Sequence, residues 1–160
     1  MIKTEIHGLK DLDKALGQIA KQYGPKEGEK TLRTALRNSA KPVLDAAKDA
    51  APTLSGKLKE SIKISVGKPN KDDRAHGATS ETVAVARVKA GNNKKANVGG
   101  VFYTHMVEYG TKSSAATPFL RPAIENQSDN SRAIFASELK KSIDKSIERL
   151  QRKANKKGGK

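Results

Sequence analysis

Apolar residues recur at helical spacing in three long stretches of the chain, and this pattern restricts the fold more than any other feature. The first stretch places Leu9, Leu12, Leu16 and Ile19 on one side and stops at Gly24-Pro25. The last stretch runs from Ala123 to about Arg152. We therefore predict a helix ahead of Gly24 and a long C-terminal helix.

The middle stretch runs from about Lys26 to Ala51 and contains Pro42. Because proline lacks a backbone N–H and clashes with the preceding turn, we expect a kink near Asn38-Ser39 or a split into two helices. A short helix is also predicted over 102–109, where the spacing of the apolar and aromatic residues suits a helix better than a strand.

Short apolar runs between these helices predict a small sheet. Residues 2–6 alternate in polarity, which predicts a strand. Residues 58–66 lead into a second strand, and residues 83–88 are predicted to form the strand that runs back beside it. The polar segments 67–80 and 89–100 contain little to bury, and we predict that both are mobile loops. The fold class is α+β: a small antiparallel sheet packed by a long kinked helix and a long C-terminal helix, with two mobile loops.

The supply of core-forming side chains is small. Leu, Ile, Val and Phe make up 31 of 160 residues, just under the one-fifth below which highly charged chains tend to stay disordered. We expect one domain over residues 1–152, a disordered basic tail over 153–160, and segments that become ordered only against a partner.

The residues that usually carry catalysis are isolated in this sequence. The chain has no cysteine, and His7, His76 and His105 are single histidines that form no paired-histidine motif at helical spacing. Asp72-Asp73 lies beside basic residues and is expected to be a solvated turn. No nucleophile elbow or phosphate-binding loop occurs, so we predict no enzyme, no catalytic or metal-binding residues and no cofactor.

The N-terminus lacks the features of a signal peptide, and no stretch approaches the length of a membrane span. We therefore expect synthesis in the cytoplasm and no membrane partner.

The net charge of +15 suggests an anionic partner. Basic and acidic residues alternate on nearly every predicted helical turn, however, and few aromatic residues are left over for base stacking. Non-specific contact with DNA is compatible with this pattern, whereas sequence readout is not supported. A small basic nucleic-acid-binding protein is the alternative function.

Four blocks occur in a characteristic order: Gly8–Leu12, Ala50–Ile62, Val107–Thr111 and Thr117–Ala123. Together they resemble the tail-completion, or head–tail joining, proteins of long-tailed bacteriophages, the gene-product-ten-like tail-component family of HK-ninety-seven type phages. The similarity extends over roughly residues 5–150, with Ser55 and Tyr109 standing where Thr and Phe are commoner in the family.

The resemblance implies a small α+β virion protein of the phage tail or neck, without enzymatic activity. Its expected partners are copies of itself in a ring, with a hexamer suggested by the six-fold symmetry of most tail rings, the tail terminator or tail tube protein, and neck or connector proteins.

The same blocks also supply candidate interface residues. Gly56 and Gly110 suit a tight turn and a helix end, respectively, and Pro118 and Pro122 stiffen a segment that carries an apolar pair beside an arginine. That composition is typical of interface cores, although Phe119 and Leu120 equally suit the docking of the last helix. The interface candidates are Tyr109, Thr111, Phe119, Leu120 and Arg121.

Overall fold

The computed structural model describes residues 9–53, 56–91 and 101–158 of the chain. Its elements follow in this order: α1 (Leu9–Tyr23), α2 (Pro25–Ser39), α3 (Lys41–Ala50), α4 (Lys57–Ser61), β1 (Lys63–Gly67), α5 (Lys71–Ala75), β2 (Val85–Lys89), α6 (Thr104–Tyr109) and α7 (Leu120–Gly158). The predicted α+β class is confirmed.

Glycine and proline divide the N-terminal helices where the sequence predicts. Gly24 separates α1 from α2 at a φ of 97°, which favours glycine. The middle helical stretch is split, since α2 ends at Ser39 and α3 begins at Lys41. Pro42 lies in the first turn of α3, where a missing N–H costs little.

The chain divides into two compact units. The first takes its described residues from 1–39, 66–85 and 133–160, and the second from 40–65 and 86–132. The core of the first unit joins α1 and α2 to the C-terminal part of α7. Its buried members are Leu12, Ala15, Ile19, Ala35, Leu139, Ile143 and Leu150.

The core of the second unit is built around Phe119, which is fully buried. Around it lie side chains from α3, α4, the segment before α6 and the start of α7. They are Ala47, Ala51, Leu58, Ile62, Val101 and Ala123. That residues 1–152 behave as one domain stays a prediction.

Strands β1 and β2 pair in the predicted small antiparallel sheet. The segment between them differs from the prediction of an open loop over 67–80, because Lys71–Ala75 form the short helix α5. The Asn70 side chain accepts a hydrogen bond from the Asp73 N–H, and the Asp73 carboxylate accepts one from the Asn70 N–H. This reciprocal capping supplies the local stabilisation that the sequence analysis overlooked.

The predicted strand over 2–6 lies outside the described residues, as do residues 92–100 of the second predicted loop. The mobility of both loops stays a prediction.

Helix α7 is longer than predicted at both ends. It begins at Leu120 instead of Ala123, and it continues past Arg152 to Gly158, through most of the segment expected to be a disordered tail. Pro122 is tolerated in the first turn, and the cations near the other end interact favourably with the helix dipole.

Candidate functional site

Helix α6 ends in a tight turn that fixes the segment leading to α7. Gly110 has a φ of 76°, and a Cβ there would lie 2.9 Å from the backbone nitrogen of Ala116. Beyond it, the Thr111 N–H donates to the Ser114 carbonyl at 2.9 Å. The Thr117 N–H donates to the Val107 carbonyl at 2.8 Å. The chain therefore folds back on α6, and only glycine fits at position 110 without strain.

The Glu108 side chain binds the N-terminus of α7. Its carboxylate accepts hydrogen bonds from the backbone N–H groups of Phe119, Leu120 and Arg121, each at 2.9 Å. Pro122, the next residue, has no N–H to satisfy. Glu108 thus satisfies the donors that a helix start leaves unpaired, and it does so from a neighbouring helix.

The electrostatics of Glu108 follow from this geometry. Burial, which leaves the residue 7% exposed, would by itself raise the pKa of the carboxyl group. The three backbone hydrogen bonds and the nearby charge of Arg121 outweigh that effect, so the pKa of Glu108 lies below its ordinary value. Glu108 is therefore an ionised structural anchor.

Two of the predicted interface residues belong to the core of the second unit. Phe119 is fully buried, and Leu120 is partly buried against the same cluster. The sequence left two roles open for these side chains, an interface with a partner and the docking of the last helix. In the single chain they dock the last helix.

The other three candidates are at the surface. Tyr109 is 69% exposed. The Arg121 guanidinium carbon lies 5.4 Å from the centre of the Tyr109 ring, within the range of a cation–π contact. Thr111 is exposed as well, and its hydroxyl accepts from the Ser113 N–H at 3.3 Å.

Tyr109 continues an apolar surface that the sequence analysis did not identify. Phe102 is 51% exposed and Met106 is 40% exposed. The three positions are four and three residues apart, which places Met106 and Tyr109 on one side of α6 and Phe102 just ahead of it. We call Phe102, Met106 and Tyr109 the α6 face.

The role of Glu108 was also missed, although the sequence contains a signal for it. The residue before α7 is Phe119, which has no side-chain oxygen to cap a helix. A helix start without its own cap needs an acceptor from elsewhere, and Glu108 is the acidic residue of the preceding helix.

The residues considered for catalysis have structural or surface positions. The Asp73 carboxylate caps α5, His76 contacts the Asp72 carbonyl, and His105 is exposed. His7 lies outside the described residues. In the part of the chain that the structure describes, no three His, Cys, Asp or Glu side chains converge as metal ligands.

None of the described helices is both long and apolar enough to cross a membrane.

The family model described as "HK97-gp10_like: Bacteriophage HK97-gp10, putative tail-component" matches residues 10–110. That range includes Glu108 and Gly110 and ends before the block Thr117–Ala123. No curated protein and no solved structure matches the chain.

Proposed function

Because the chain belongs to the HK97-gp10-like family of bacteriophage tail components, we propose that it completes the tail at its head-proximal end and joins it to the head. In this role it is a structural protein without enzymatic activity. It is made in the cytoplasm of the host bacterium and becomes part of the virion at the tail or neck.

The exposed α6 face is the observation that supports this proposal. Aromatic residues, methionine and arginine are enriched at protein interfaces, and the α6 face with Arg121 has that composition. The Glu108 anchor and the turn at Gly110 hold Tyr109 and Arg121 in fixed positions. A preorganised apolar surface loses less entropy on binding than a mobile one does.

The proposed partners are copies of the same chain in a ring, the tail terminator or tail tube protein, and neck or connector proteins. The six-fold symmetry of most tail rings suggests a hexamer. Tyr109 and Arg121 are the interface candidates available at the surface, with Thr111 beside them on the turn after α6.

Assembly also offers a role for the segment around α5. No residue of α5 is buried, and its capping hydrogen bonds are local. We expect residues 67–80 to exchange between conformations in the isolated chain and to become ordered against a neighbouring subunit. The same behaviour is proposed for 89–100.

Two exposed apolar residues provide a matched test of the α6 face. Met106→Ser removes an apolar side chain from the α6 face, and Val83→Ser removes one that is 52% exposed elsewhere in the chain. We expect Met106→Ser to weaken self-association in analytical ultracentrifugation, while Val83→Ser leaves it unchanged. In a phage that lacks the gene, complementation with Met106→Ser should leave unjoined heads and tails in electron micrographs. Equal behaviour of the two variants in both assays would contradict the proposal.

A further inference from the structure

A cationic groove lies within the first unit, between α2 and the C-terminal part of α7. It has a volume of about 200 Å³. Its rims carry Lys30 from α2 and Lys141, Lys145 and Arg149 from α7. We call it the α2–α7 groove.

The groove continues into a hollow along each of the two helices, because each hollow shares lining residues with it. Together the groove and hollows are lined by ten lysine and arginine side chains against three glutamates. Seven of the chain's fifteen net positive charges are therefore carried by the residues that line the groove and its two hollows.

The cations form two stripes that follow from helical spacing. On α2, Lys26, Lys30, Arg33 and Arg37 are separated by four, three and four residues and lie on one side. A second stripe on α7 has the same kind of spacing. It comprises Lys141, Lys145, Arg149, Arg152 and Lys156.

Ion pairs within the unit neutralise nearby carboxylates but leave the two central lysines available. Four of the lining cations pair with glutamates: Arg33 with Glu29 at 2.6 Å, Lys141 with Glu138 at 2.9 Å, Arg149 with Glu27 at 2.5 Å and Arg152 with Glu148 at 3.8 Å. Lys30 and Lys145 are exposed on opposite rims, and within residues 9–53, 56–91 and 101–158 neither has a carboxylate within 4 Å.

The floor of the groove is short and polar. Thr31 and Ser146 are hydrogen-bonded to each other at 2.8 Å, and Ser142 lies beside them almost fully buried. Short side chains on the floor leave room for an anionic group between the rim lysines.

The shape of this surface favours duplex DNA over other polyanions. The α7 stripe spans 16 residues, or roughly 22 Å of rigid helix from its first to its last residue, so its partner should also hold its charge in a rigid line. Duplex DNA does so, with one charge per about 1.7 Å of axis, whereas an unfolded acidic polypeptide does not. Among the described residues that line the surface none is aromatic, so bases of a single strand have no platform for stacking.

We propose that the α2–α7 groove and its two cationic stripes bind the phosphate backbone of duplex DNA without sequence readout. The choice of DNA as the polyanion rests on the proposed function, since the phage genome passes through the neck into the tail. The charge geometry itself comes from the first unit and does not depend on a ring.

The experiment compares two double variants with the same net charge. Lys30→Gln/Lys145→Gln removes the central lysines of the groove, and Lys57→Gln/Lys63→Gln removes two exposed lysines from the second unit. Binding to a fluorescent mixed-sequence duplex of about 30 base pairs is measured by anisotropy over a range of salt concentrations.

We expect the groove variant to bind roughly tenfold or more weakly than wild type at about 100 mM salt, with the slope of log K against log salt reduced by about two. The control variant should stay within about twofold of wild type. Thermal unfolding of both variants checks that they remain folded.

Three results would overturn the proposal. One is the absence of duplex binding by the wild type at low salt, and another is an equal loss in both variants, which would mean that total charge matters and the groove does not. The third is displacement of the duplex by polyglutamate at equal charge concentration, which would point to an acidic protein partner. Ultracentrifugation of the groove variant measures self-association separately from DNA binding. A failure of the DNA-binding proposal can therefore be distinguished from a failure of the assembly proposal.

Discussion

At the scale of single residues, Glu108 links two helices through three hydrogen bonds to one carboxylate. Glu108→Gln keeps the size of the side chain but removes the charge and replaces one acceptor oxygen by an NH2 group. We expect the free energy of unfolding to fall by about 2 kcal/mol, the range for hydrogen bonds to charged groups. Urea unfolding measures this, with the exposed Glu125→Gln on α7 as a control that should change it by less than about 0.5 kcal/mol.

The lowered pKa of Glu108 gives the same contact a pH dependence. Because the folded pKa lies below the ordinary value of 4.5, the stabilisation is complete above that value and is lost as the pH falls through the folded pKa. Glu108→Gln cannot titrate, so its stability should decline less than that of wild type below about pH 4.5. Parallel curves of unfolding free energy against pH for the two proteins would contradict the role of the ionised carboxylate.

Alanine substitutions at Gly110 and Gly17 should change the stability of the protein in opposite directions. At Gly110 a Cβ would meet backbone atoms at 2.9 to 3.0 Å and the φ of 76° is unfavourable, so Gly110→Ala should destabilise the protein by roughly 1–3 kcal/mol. Gly17 lies inside α1 with nothing within 4 Å of a Cβ, so Gly17→Ala should stabilise it by up to about 1 kcal/mol. Thermal unfolding distinguishes the two, and a neutral Gly110→Ala would show that the turn after α6 is free to rearrange.

At the scale of elements, α5 and α2 differ in the number of buried residues that stabilise them. Helix α5 has no buried residue, whereas α2 buries Gly28, Thr31, Ala35 and Ser39. We therefore expect amides of 71–78 to exchange with solvent much faster than those of α2 in the isolated protein. Hydrogen exchange followed by mass spectrometry measures this, and comparable protection of the two segments would argue against ordering on assembly.

The positions at which the helices begin and end depend both on the pattern of apolar residues and on local contacts. The spacing of apolar residues together with Gly24-Pro25 predicted α1, and Pro42 predicted the break between α2 and α3. The boundaries of α7 were misjudged because its start is capped by Glu108, which is distant in sequence, and its end is extended by residues that looked too charged for order.

At the scale of the whole molecule, the question is whether the two units unfold together. Ile19→Ala opens a cavity in the first unit and Phe119→Ala opens one in the second, each at a cost of about 2–5 kcal/mol. If residues 1–152 are one domain, calorimetry should show one transition that both variants shift to lower temperature. Two domains would instead give two transitions, and each variant would lower the temperature of only the transition that belongs to its own unit.

The class of fold, the main helices and the family could be predicted from the order of the amino acids. Periodicity, glycine and proline act through neighbouring residues, so they can be interpreted without coordinates. Which side chains share a surface depends on the packing of the helices and could not be predicted in this way. That packing buried Phe119, exposed Tyr109 and aligned the cations of α2 with those of α7, although charges of both signs alternate along each helix. The physical reason is that burial and charge alignment depend on which helix faces pack together, and those contacts join residues about a hundred positions apart, such as Asn38 and Glu138.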